Sequence, residues 1–293
     1  MFSYRKKWIR KIIILAAVVI ITPHLISGCF SFRMSPGEVE RYYSDQDNQP
    51  VVRKIKSGGR NINFATIGSD SLPMVIFIHG APGSWSAFRH FLKDADLYSK
   101  AQLVAVDRPG YGYSDFGVPE TRVAEQSKLL SALFHYNKSG KPAILVGHSL
   151  GGPIAAQMSI NYPKEVGGLI LVSPSIDPNL EPEEWYRFPL ALPFIRWILP
   201  ASLDMTNREI LHLKKELEKM LPLWEEITTP TTVIQGSKDN LVAPENAKFA
   251  KKMIVNAPIK IHFETEADHF IPWNNPGLIK SAILSYLHED ENP

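Results

Sequence analysis

The sequence of 293 residues predicts an α/β fold, a mostly parallel, doubly wound sheet of about eight strands with a small helical cap. Three observations predict it. Short aliphatic runs alternate with longer amphipathic stretches along the chain, as in βαβ units. The runs are apolar at consecutive positions, which is typical of strands covered on both faces. One long segment between two runs has no strand signal at all.

The elements alternate in a regular order. The first two strands flank a turn that contains Gly58 and Gly59, and the later strands are continuous aliphatic runs. The predicted strands are Val51–Lys56, Asn61–Ile67, Met74–Ile78, Gln102–Val106, Ala143–Val146, Leu169–Val172, Thr231–Ile234 and Ile259–Phe263. The helices predicted between them are Trp85–Ala95, Thr121–Tyr136, Leu150–Asn161, Glu245–Val255 and Pro276–His288. Because ligand sites in such sheets lie beyond the carboxyl ends of the strands, the residues that follow each strand are the candidates.

Residues 175–229 interrupt this alternation. The segment is rich in proline and tryptophan and contains one amphipathic helix, predicted over Asn207–Leu221, with Thr206 and Glu209 as a capping box at its start. A long insertion without strands is usually a lid or binding element, so we predict a cap before the strand Thr231–Ile234. The alternative is an ordinary helix packed on the core. The apolar wall of a binding cavity would come from Phe188, Leu190, Leu192, Phe194, Ile195, Trp197 and Ile198.

The N-terminus has the pattern of a targeting segment. Five cations precede Ile12–Ile21, ten apolar residues in a row. The run is short for a membrane-spanning helix, which needs about 20 residues, and residues 1–28 are therefore predicted to be a secretory signal peptide or a membrane anchor. The sequence that ends in Cys29 resembles the lipobox of bacterial lipoproteins, which implies acylation of this cysteine. An uncleaved anchor that reaches to about Phe32 is the alternative.

Both alternatives place the folded domain outside the cytoplasm, on the periplasmic or cell-surface side, and tether it to a membrane. Residues 29–50 are polar and are predicted to be a tether, and residues 51–293 are predicted to form the domain.

Without the N-terminal cations, 27 basic residues stand against 30 acidic ones. Since the basic excess lies outside the domain, nucleic acid is not predicted as a partner. Cys29 is the only cysteine, which excludes an intramolecular disulfide.

The strand Ala143–Val146 leads into Gly147-His148-Ser149-Leu150-Gly151 and then into a helix, which matches the G-x-S-x-G nucleophile elbow. In such an elbow a tight turn presents the serine hydroxyl, and the glycines remove side chains that would collide. The N–H groups at the start of the helix favour developing negative charge. We therefore predict Ser149 to be a catalytic nucleophile.

A serine hydroxyl needs a general base. His269 follows the strand Ile259–Phe263, and Asp239 follows Thr231–Ile234, so both lie on the same rim of the predicted sheet as Ser149. The order Ser, Asp, His along the chain is that of the elbow motif. We predict His269 as the base and Asp239 as the acid that orients it, with Asp268 and Asp177 as less favoured acids.

The third strand ends in His79-Gly80-Ala81-Pro82-Gly83. In the same template, an oxyanion hole takes one backbone N–H from this loop and one from the residue after the nucleophile. The amides of Ala81 and Leu150 are therefore predicted to be the donors, although a plain turn is the alternative reading of the loop. No metal and no organic cofactor is predicted.

These motifs in their order, with Asp107-Arg108-Pro109-Gly110-Tyr111-Gly112-Tyr113-Ser114, resemble the α/β-hydrolase superfamily over roughly residues 51–287. The similarity is to the branch of esterases, carbon–carbon bond hydrolases, proline iminopeptidases and epoxide hydrolases. The resemblance implies an architectural role for Asp107 and Arg108. It also implies aspartate, not serine, as the nucleophile of epoxide hydrolases and haloalkane dehalogenases.

The motifs are poor guides to substrate, but the apolar residues of the predicted cap favour hydrolysis of a carboxylic ester, such as a lipid-like ester, by the Ser149–His269–Asp239 triad. Two other activities stay open: a proline iminopeptidase-like aminopeptidase, with Glu181, Glu183 or Glu184 on the substrate amine, and a carbon–carbon bond hydrolase. Ala81 departs from the glycine that iminopeptidases usually have there. A member of the fold that binds ligands without turnover is a further alternative.

Overall fold

The computed structural model describes residues 8–15, 18 and 30–289. Most of the predicted signal or anchor segment, and Cys29 with its predicted lipid, therefore lie outside the described residues. Residues 8–15 are helical, and their side chains are exposed. Among the described residues, no helix combines the length and the apolar character needed to cross a bilayer.

Eight strands form one sheet in the order β1-β2-β4-β3-β5-β6-β7-β8. β2 pairs antiparallel with both β1 and β4, and all the other pairs are parallel. The strands are β1 Val51–Ser57, β2 Arg60–Ile67, β3 Met74–Ile78, β4 Gln102–Val106, β5 Ala143–His148, β6 Val166–Val172, β7 Thr231–Gly236 and β8 Ile259–Glu264. The predicted fold class is thus confirmed, and the predicted strands match these to within a few residues at their ends.

The sheet is covered on both faces, as the continuous apolar runs predict. Ile76 and Ile78 of β3 belong to one buried cluster, while Val75 and Phe77 belong to a second. Successive side chains of a strand point to opposite faces, so the two clusters are the two cores of a three-layer molecule. The carboxyl ends of β3, β5, β7 and β8 consequently meet at one edge.

Helices connect the strands. They are α1 Pro36–Tyr42, α2 Arg89–Leu92, α3 Ala95–Tyr98, α4 Val123–Leu130, α5 Gly151–Asn161, α6 Arg187–Leu190, α7 Pro193–Arg196, α8 Ala201–Met220, α9 Asn246–Met253, α10 Ile271–Asn274 and α11 Pro276–Glu289. Short 3-10 helices cover Trp85–Phe88, Ser131–Tyr136 and Leu221–Glu226. The helix predicted over Trp85–Ala95 is therefore broken into a 3-10 turn and α2, and Asp94 caps α3 by accepting from the amides of Asp96 and Leu97.

Between β6 and β7 the chain is helical, with α6, α7 and α8 in succession, as a cap insertion predicts. The capping-box prediction is wrong, however. Helix α8 begins at Ala201, so Thr206 and Glu209 lie inside it. Both side chains face inward and are buried, because Glu209 is the partner of an arginine beneath the cap and Thr206 lies beside the Tyr111 hydroxyl.

Residues 30–50, predicted as a tether, pack on the domain. Ser35 and Glu38 form a complete capping box at the start of α1. Tyr43 is fully buried, and its hydroxyl donates to the carbonyl of Arg89 (2.7 Å). The Lys93 ammonium binds the Asp45 carboxylate (2.6 Å). The folded part of the chain therefore begins before residue 51, because an aromatic anchor and an ion pair fix a segment of polar composition.

Candidate active site

Ser149 lies in the turn between β5 and α5. Its φ is 54°, in the left-handed region that costs a non-glycine residue about 1–2 kcal/mol. The Ser149 amide donates to the carbonyl of Val172 on β6 (2.9 Å), and the Ser149 carbonyl accepts from the amide of Gly152 (2.9 Å). These bonds hold the strained turn in place at the carboxyl edge of the sheet, where the Ser149 side chain faces a cavity.

Two glycines make this turn possible. A Cβ on Gly151 would lie 2.2 Å from the carbonyl oxygen of Ile78, and a Cβ on Gly147 would lie 2.5 Å from the carbonyl oxygen of Gly151. Only a residue without a side chain fits at either position. The glycines of the sequence motif thus allow β3, β5 and α5 to approach closely at the site.

His269 and Asp239 form a buried pair. His269 Nδ1 lies 2.8 Å from Asp239 Oδ2, while Asp239 Oδ1 accepts from the amides of Leu241 (3.0 Å) and Val242 (2.8 Å). Burial raises the pKa of Asp239, but the hydrogen bond and charge of His269, with the two amides, outweigh burial and lower it overall. Asp239 is therefore a carboxylate at neutral pH, and Nδ1 of His269 carries a proton toward it.

The other candidate acids point elsewhere. Asp268 accepts from the amide of Phe270 (2.9 Å) and the side chain of Asn274 (3.2 Å), and Asp177 accepts from the amide of Asn179 (2.9 Å). Of the three acids, the structure brings only Asp239 to the imidazole of His269.

Ser149 and His269 line the same cavity. Because Nδ1 of His269 is bound to Asp239, Nε2 is the ring nitrogen left for Ser149. The described residues include no hydrogen bond between Ser149 Oγ and this nitrogen. Such contacts are often long in ligand-free enzymes and shorten when substrate is bound.

The loop after β3 runs beside the Ser149 hydroxyl. A Cβ on Gly80 would lie 3.3 Å from Ser149 Oγ. The Gly80 carbonyl is held by the Arg108 guanidinium (3.0 Å) and by His79 Nδ1 (2.6 Å), which fixes the plane of the Gly80–Ala81 peptide. Within the described residues, the amides of Ala81 and Leu150 donate no hydrogen bond. Both are thus available as donors beside Ser149.

A buried polar cluster joins this loop to the cap. Arg108 pairs with Glu209 of α8 through Nη1–Oε1 (2.7 Å) and Nη2–Oε2 (3.1 Å), and both side chains are fully or almost fully buried. The Tyr111 hydroxyl (2.5 Å) and Gln126 Nε2 (2.8 Å) donate to the same carboxylate. Burial lowers the pKa of Arg108, but the neighbouring Glu209 and Tyr111 together raise the pKa by a larger amount. Arg108 therefore stays charged.

Two further histidines are neutral. Burial and the nearby Arg108 charge lower the pKa of His79 well below its ordinary value. Its Nδ1–H therefore donates to Gly80, and its Nε2 accepts from the Arg108 amide (3.0 Å). Burial and the neighbouring His269 lower the pKa of His148 to about 3. The Nε2 of His148 donates to the His269 carbonyl (3.0 Å), which supports the His269 loop without adding charge.

Asp107, expected to be architectural, accepts three hydrogen bonds in the core. They come from the amides of Trp85 (2.7 Å) and Tyr113 (2.8 Å) and from the Asn63 side chain (2.8 Å). Burial raises the pKa of Asp107 to about 6 despite these donors. The side chain ties together the loops that follow β3 and β4 and does not reach the cavity.

The cavity at Ser149 has a volume of about 790 Å³, within the usual range for small-molecule sites. The predicted wall of cap residues is not part of its lining, and Phe188, Phe194 and Trp197 are exposed instead. The apolar side chains that line it are Phe32, Met34, Ala87, Leu241, Phe270 and Trp273. A second cavity, of about 870 Å³, lies toward the amino ends of β3 and β4 and contains no member of the predicted triad.

Sequence reasoning missed the contribution of residues 31–34. Ser31, Phe32, Arg33 and Met34 all line the cavity at Ser149. They are held there because the Phe32 carbonyl accepts from Ser84 Oγ (2.6 Å), and Arg33 donates to the Gly112 carbonyl (2.9 Å). No local motif marks these residues, since they precede the first strand and their partners lie 50 or more residues away.

Among the described residues, no cluster of three or more His, Cys, Asp or Glu side chains is placed to hold a metal ion.

A family model described as "alpha/beta hydrolase fold" matches residues 73–206. Epoxide hydrolase 4 of Mus musculus is 23% identical, over 81% of this chain and 79% of that protein. Among solved structures, a membrane phospholipase A described as a bacterial virulence factor has a TM-score of 0.65 at 17% identity, with both chains fully covered. The haloalkane dehalogenase DatA of Agrobacterium tumefaciens C58 has a TM-score of 0.67 at 18% identity, over 84% of this chain and 99% of that one.

The buried pair gives a prediction about stability. Glu209→Leu leaves the Arg108 guanidinium buried without a counter-charge, and we expect a loss of about 3–5 kcal/mol in the free energy of unfolding. Arg108→Met combined with Glu209→Leu should cost less than Glu209→Leu alone, because no charge remains buried. Urea denaturation followed by circular dichroism measures both.

Lys248→Met is the matched control, because Lys248 and Glu245 form an exposed ion pair (4.0 Å). Its effect should stay below about 1 kcal/mol. A cost for Glu209→Leu no larger than that of the control would show that the buried pair does not stabilise the fold.

Proposed function

We propose that this chain is a serine hydrolase of the α/β-hydrolase superfamily, whose family model matches residues 73–206, and that it cleaves a carboxylic ester through an acyl-enzyme. One observation carries the proposal. A serine in a strained elbow and the His269 imidazole, which is paired with buried Asp239, line a single cavity of substrate size, and the Ala81 and Leu150 amides donate no hydrogen bond within the described residues. Each part of that arrangement has a step to perform in acyl transfer.

In the first step, Nε2 of His269 takes the proton of Ser149 as the hydroxyl oxygen attacks the ester carbonyl. The amides of Ala81 and Leu150 donate to the resulting oxyanion, and each such donor is worth about 3–4 kcal/mol in a comparable enzyme. Asp239 stabilises the imidazolium. Nε2 then gives the proton to the alcohol oxygen, which leaves as the acyl group stays on Ser149.

In the second step, water enters where the alcohol left. His269 removes a proton from the water, and the hydroxide adds to the acyl carbonyl in the same oxyanion hole. Collapse of this intermediate releases the carboxylic acid, and the proton returns from Nε2 to Ser149. The resting enzyme is restored, so no cofactor is required for the cycle.

The nature of the nucleophile disfavours epoxide hydrolysis, the activity in the name of the similar mouse protein. A carboxylate that opens an epoxide forms an ester, which water can then cleave. A serine oxygen that attacked the same carbon would form an ether, which this machinery cannot hydrolyse. Ser149 therefore fits substrates whose reacting carbon is a carbonyl.

The lining of the cavity favours an ester with an apolar acyl group. Its wall includes Phe32, Met34 and Leu241, and its volume suits a medium-sized substrate. The aminopeptidase alternative needs an acid for the substrate amine. Glu181 binds Ser175, Glu183 pairs with Lys214, and neither lines the cavity. Carbon–carbon bond hydrolysis and binding without turnover stay open, but no contact in the site favours either.

The cellular location is also part of the proposal. The cationic start, the ten-residue apolar run and the lipobox-like sequence before Cys29 support a membrane-anchored protein with its domain outside the cytoplasm. The anchor is either lipid on Cys29 or the apolar segment itself.

The nucleophile is tested by labelling. A fluorophosphonate should react with Ser149 as fluoride leaves, and Ser149→Ala should abolish both labelling and ester turnover, by about 10⁴-fold or more. The half-buried Ser131, which lies outside the cavity lining, provides the control variant, Ser131→Ala, which should label like the wild type. Equal labelling of Ser149→Ala and wild type would exclude Ser149 as the nucleophile.

The acid is tested by a pair of neighbouring substitutions. Asp239→Asn should lower kcat by about 10⁴-fold, the effect of the same change in a comparable triad, because the imidazole loses its favoured tautomer and its counter-charge. Asp268→Asn is the control and should change kcat little. If the two variants lost activity equally, Asp239 would not be the orienting acid.

The substrate class is tested with chromogenic substrates. We expect p-nitrophenyl esters of medium acyl length to be turned over, and proline p-nitroanilide to be turned over poorly, because the carboxylate that lines the cavity, Glu38, is already bonded to the amide and hydroxyl of Ser35. The ratio of kcat/KM values measures the preference. Faster cleavage of the anilide would favour the aminopeptidase instead.

A further inference from the structure

The mouth of the Ser149 cavity is surrounded by exposed apolar side chains. Phe32, Leu241, Phe270 and Trp273 all line this cavity and are 45%, 63%, 47% and 41% exposed, respectively. We call these four residues the cavity rim. Single exposed apolar residues are common on protein surfaces, but four around one opening, contributed by three separate segments, are typical of an interaction site.

The chain enters the folded domain at this rim. The Phe32 carbonyl accepts from Ser84, and the Phe30 carbonyl accepts from Ser202 at the start of α8. The Arg33 guanidinium lies 4.5 Å from the centre of the Tyr113 ring. The backbone that leads out of the domain toward the N-terminus therefore starts beside the mouth.

The apolar N-terminal run cannot lie far from the rim. Eight residues separate Ile21 from Phe30, and a chain of that length spans at most about 30 Å when fully extended. Trp8, Ile13 and Leu15 are exposed as well, so the described part of the domain does not cover the helical residues 8–15. Apolar residues 8–15, which the described part of the domain does not cover, thus precede an apolar rim along the chain.

We propose that the cavity rim docks on the surface of a phospholipid bilayer and presents the Ser149 cavity to acyl esters of membrane lipids. The bilayer is the occupant that the chain itself indicates, because a segment suited to a membrane leads directly to the rim. Tryptophan and phenylalanine are side chains that settle at the interface of a bilayer, the depth at which lipid ester carbonyls lie.

The charges beside the rim suit this surface. Arg89 lines the cavity, and Arg41 lines an adjoining depression together with Arg89. Both can approach lipid phosphates when the rim is docked. Glu38, the acid in the same region, is engaged with the Ser35 hydroxyl and amide (2.7 Å each).

Docking can be measured without turnover. In the full-length protein bound to phosphatidylcholine and phosphatidylglycerol vesicles, brominated phosphatidylcholine should quench tryptophan fluorescence. The quenched fraction should be smaller in Trp273→Phe, because Trp273 is the tryptophan of the rim. Identical quenching in wild type and Trp273→Phe would overturn the proposal. This result is expected if a second copy of the chain, or residues 8–18, covers the rim.

The substrate part of the inference rests on the proposed function and has its own readout. Leu241→Ser with Phe32→Asn, in which asparagine tolerates the positive φ of residue 32, should lower the ratio of vesicle-lipid hydrolysis to soluble-ester hydrolysis at least tenfold. The control pair Val118→Ser and Val255→Ser replaces exposed valines outside the cavity lining and should leave that ratio unchanged.

The two proposals fail in different ways. An unchanged ratio in the rim variant, or an equal fall in the control pair, would overturn lipid presentation while soluble-ester turnover by Ser149 still stood. Trp273-dependent quenching in a wild-type protein that hydrolyses no ester would support docking and overturn ester hydrolysis.

Discussion

The site depends on one steric constraint, the close approach of three backbone segments at Ser149. Gly147 and Gly151 allow α5 to start directly against the end of β3, and Gly80 lets the next loop pass beside the Ser149 hydroxyl. The same close packing accompanies the left-handed conformation of Ser149. Strain at the nucleophile and the passage of the loop after β3 beside its hydroxyl are therefore features of one packing arrangement, which the cores on both faces of the sheet maintain.

The cap is connected to this arrangement through a buried ion pair as well as through the apolar contacts of Leu213 and Leu217 with the core. Arg108 binds the Gly80 carbonyl with one side of its guanidinium and Glu209 of α8 with both of its terminal nitrogens. An uncompensated charge at this depth would be expensive, so the position of α8 and the orientation of the Gly80–Ala81 peptide are linked. The cap thus acts on the site by supporting a loop, while its aromatic residues Phe188, Phe194 and Trp197 remain on the surface.

The position of the candidate catalytic residues could be predicted well from the sequence. Each of them follows a strand, and parallel strands end at a common edge of the sheet. Ser149, Asp239 and His269 needed only local motifs and chain order to be placed together. Local patterns failed where a distant partner decides the structure. Thr206 and Glu209 look like a capping box, yet Arg108, about 100 residues away, draws Glu209 into the middle of α8. Residues 31–34 have no pattern of their own, and distant partners such as Ser84, Ser86 and Gly112 hold them at the cavity.

That last failure bears on function. A segment expected to be a tether instead supplies part of the cavity wall, so the path of the chain toward the N-terminus and the opening of the cavity are parts of one feature. In a protein whose anchor joined the far side of the sheet, the orientation of the mouth toward a membrane would be left to rotation about a linker. Here Phe32 and Arg33 are fixed to the loops that follow β3 and β4, so attachment through this segment would itself turn the mouth toward the anchor.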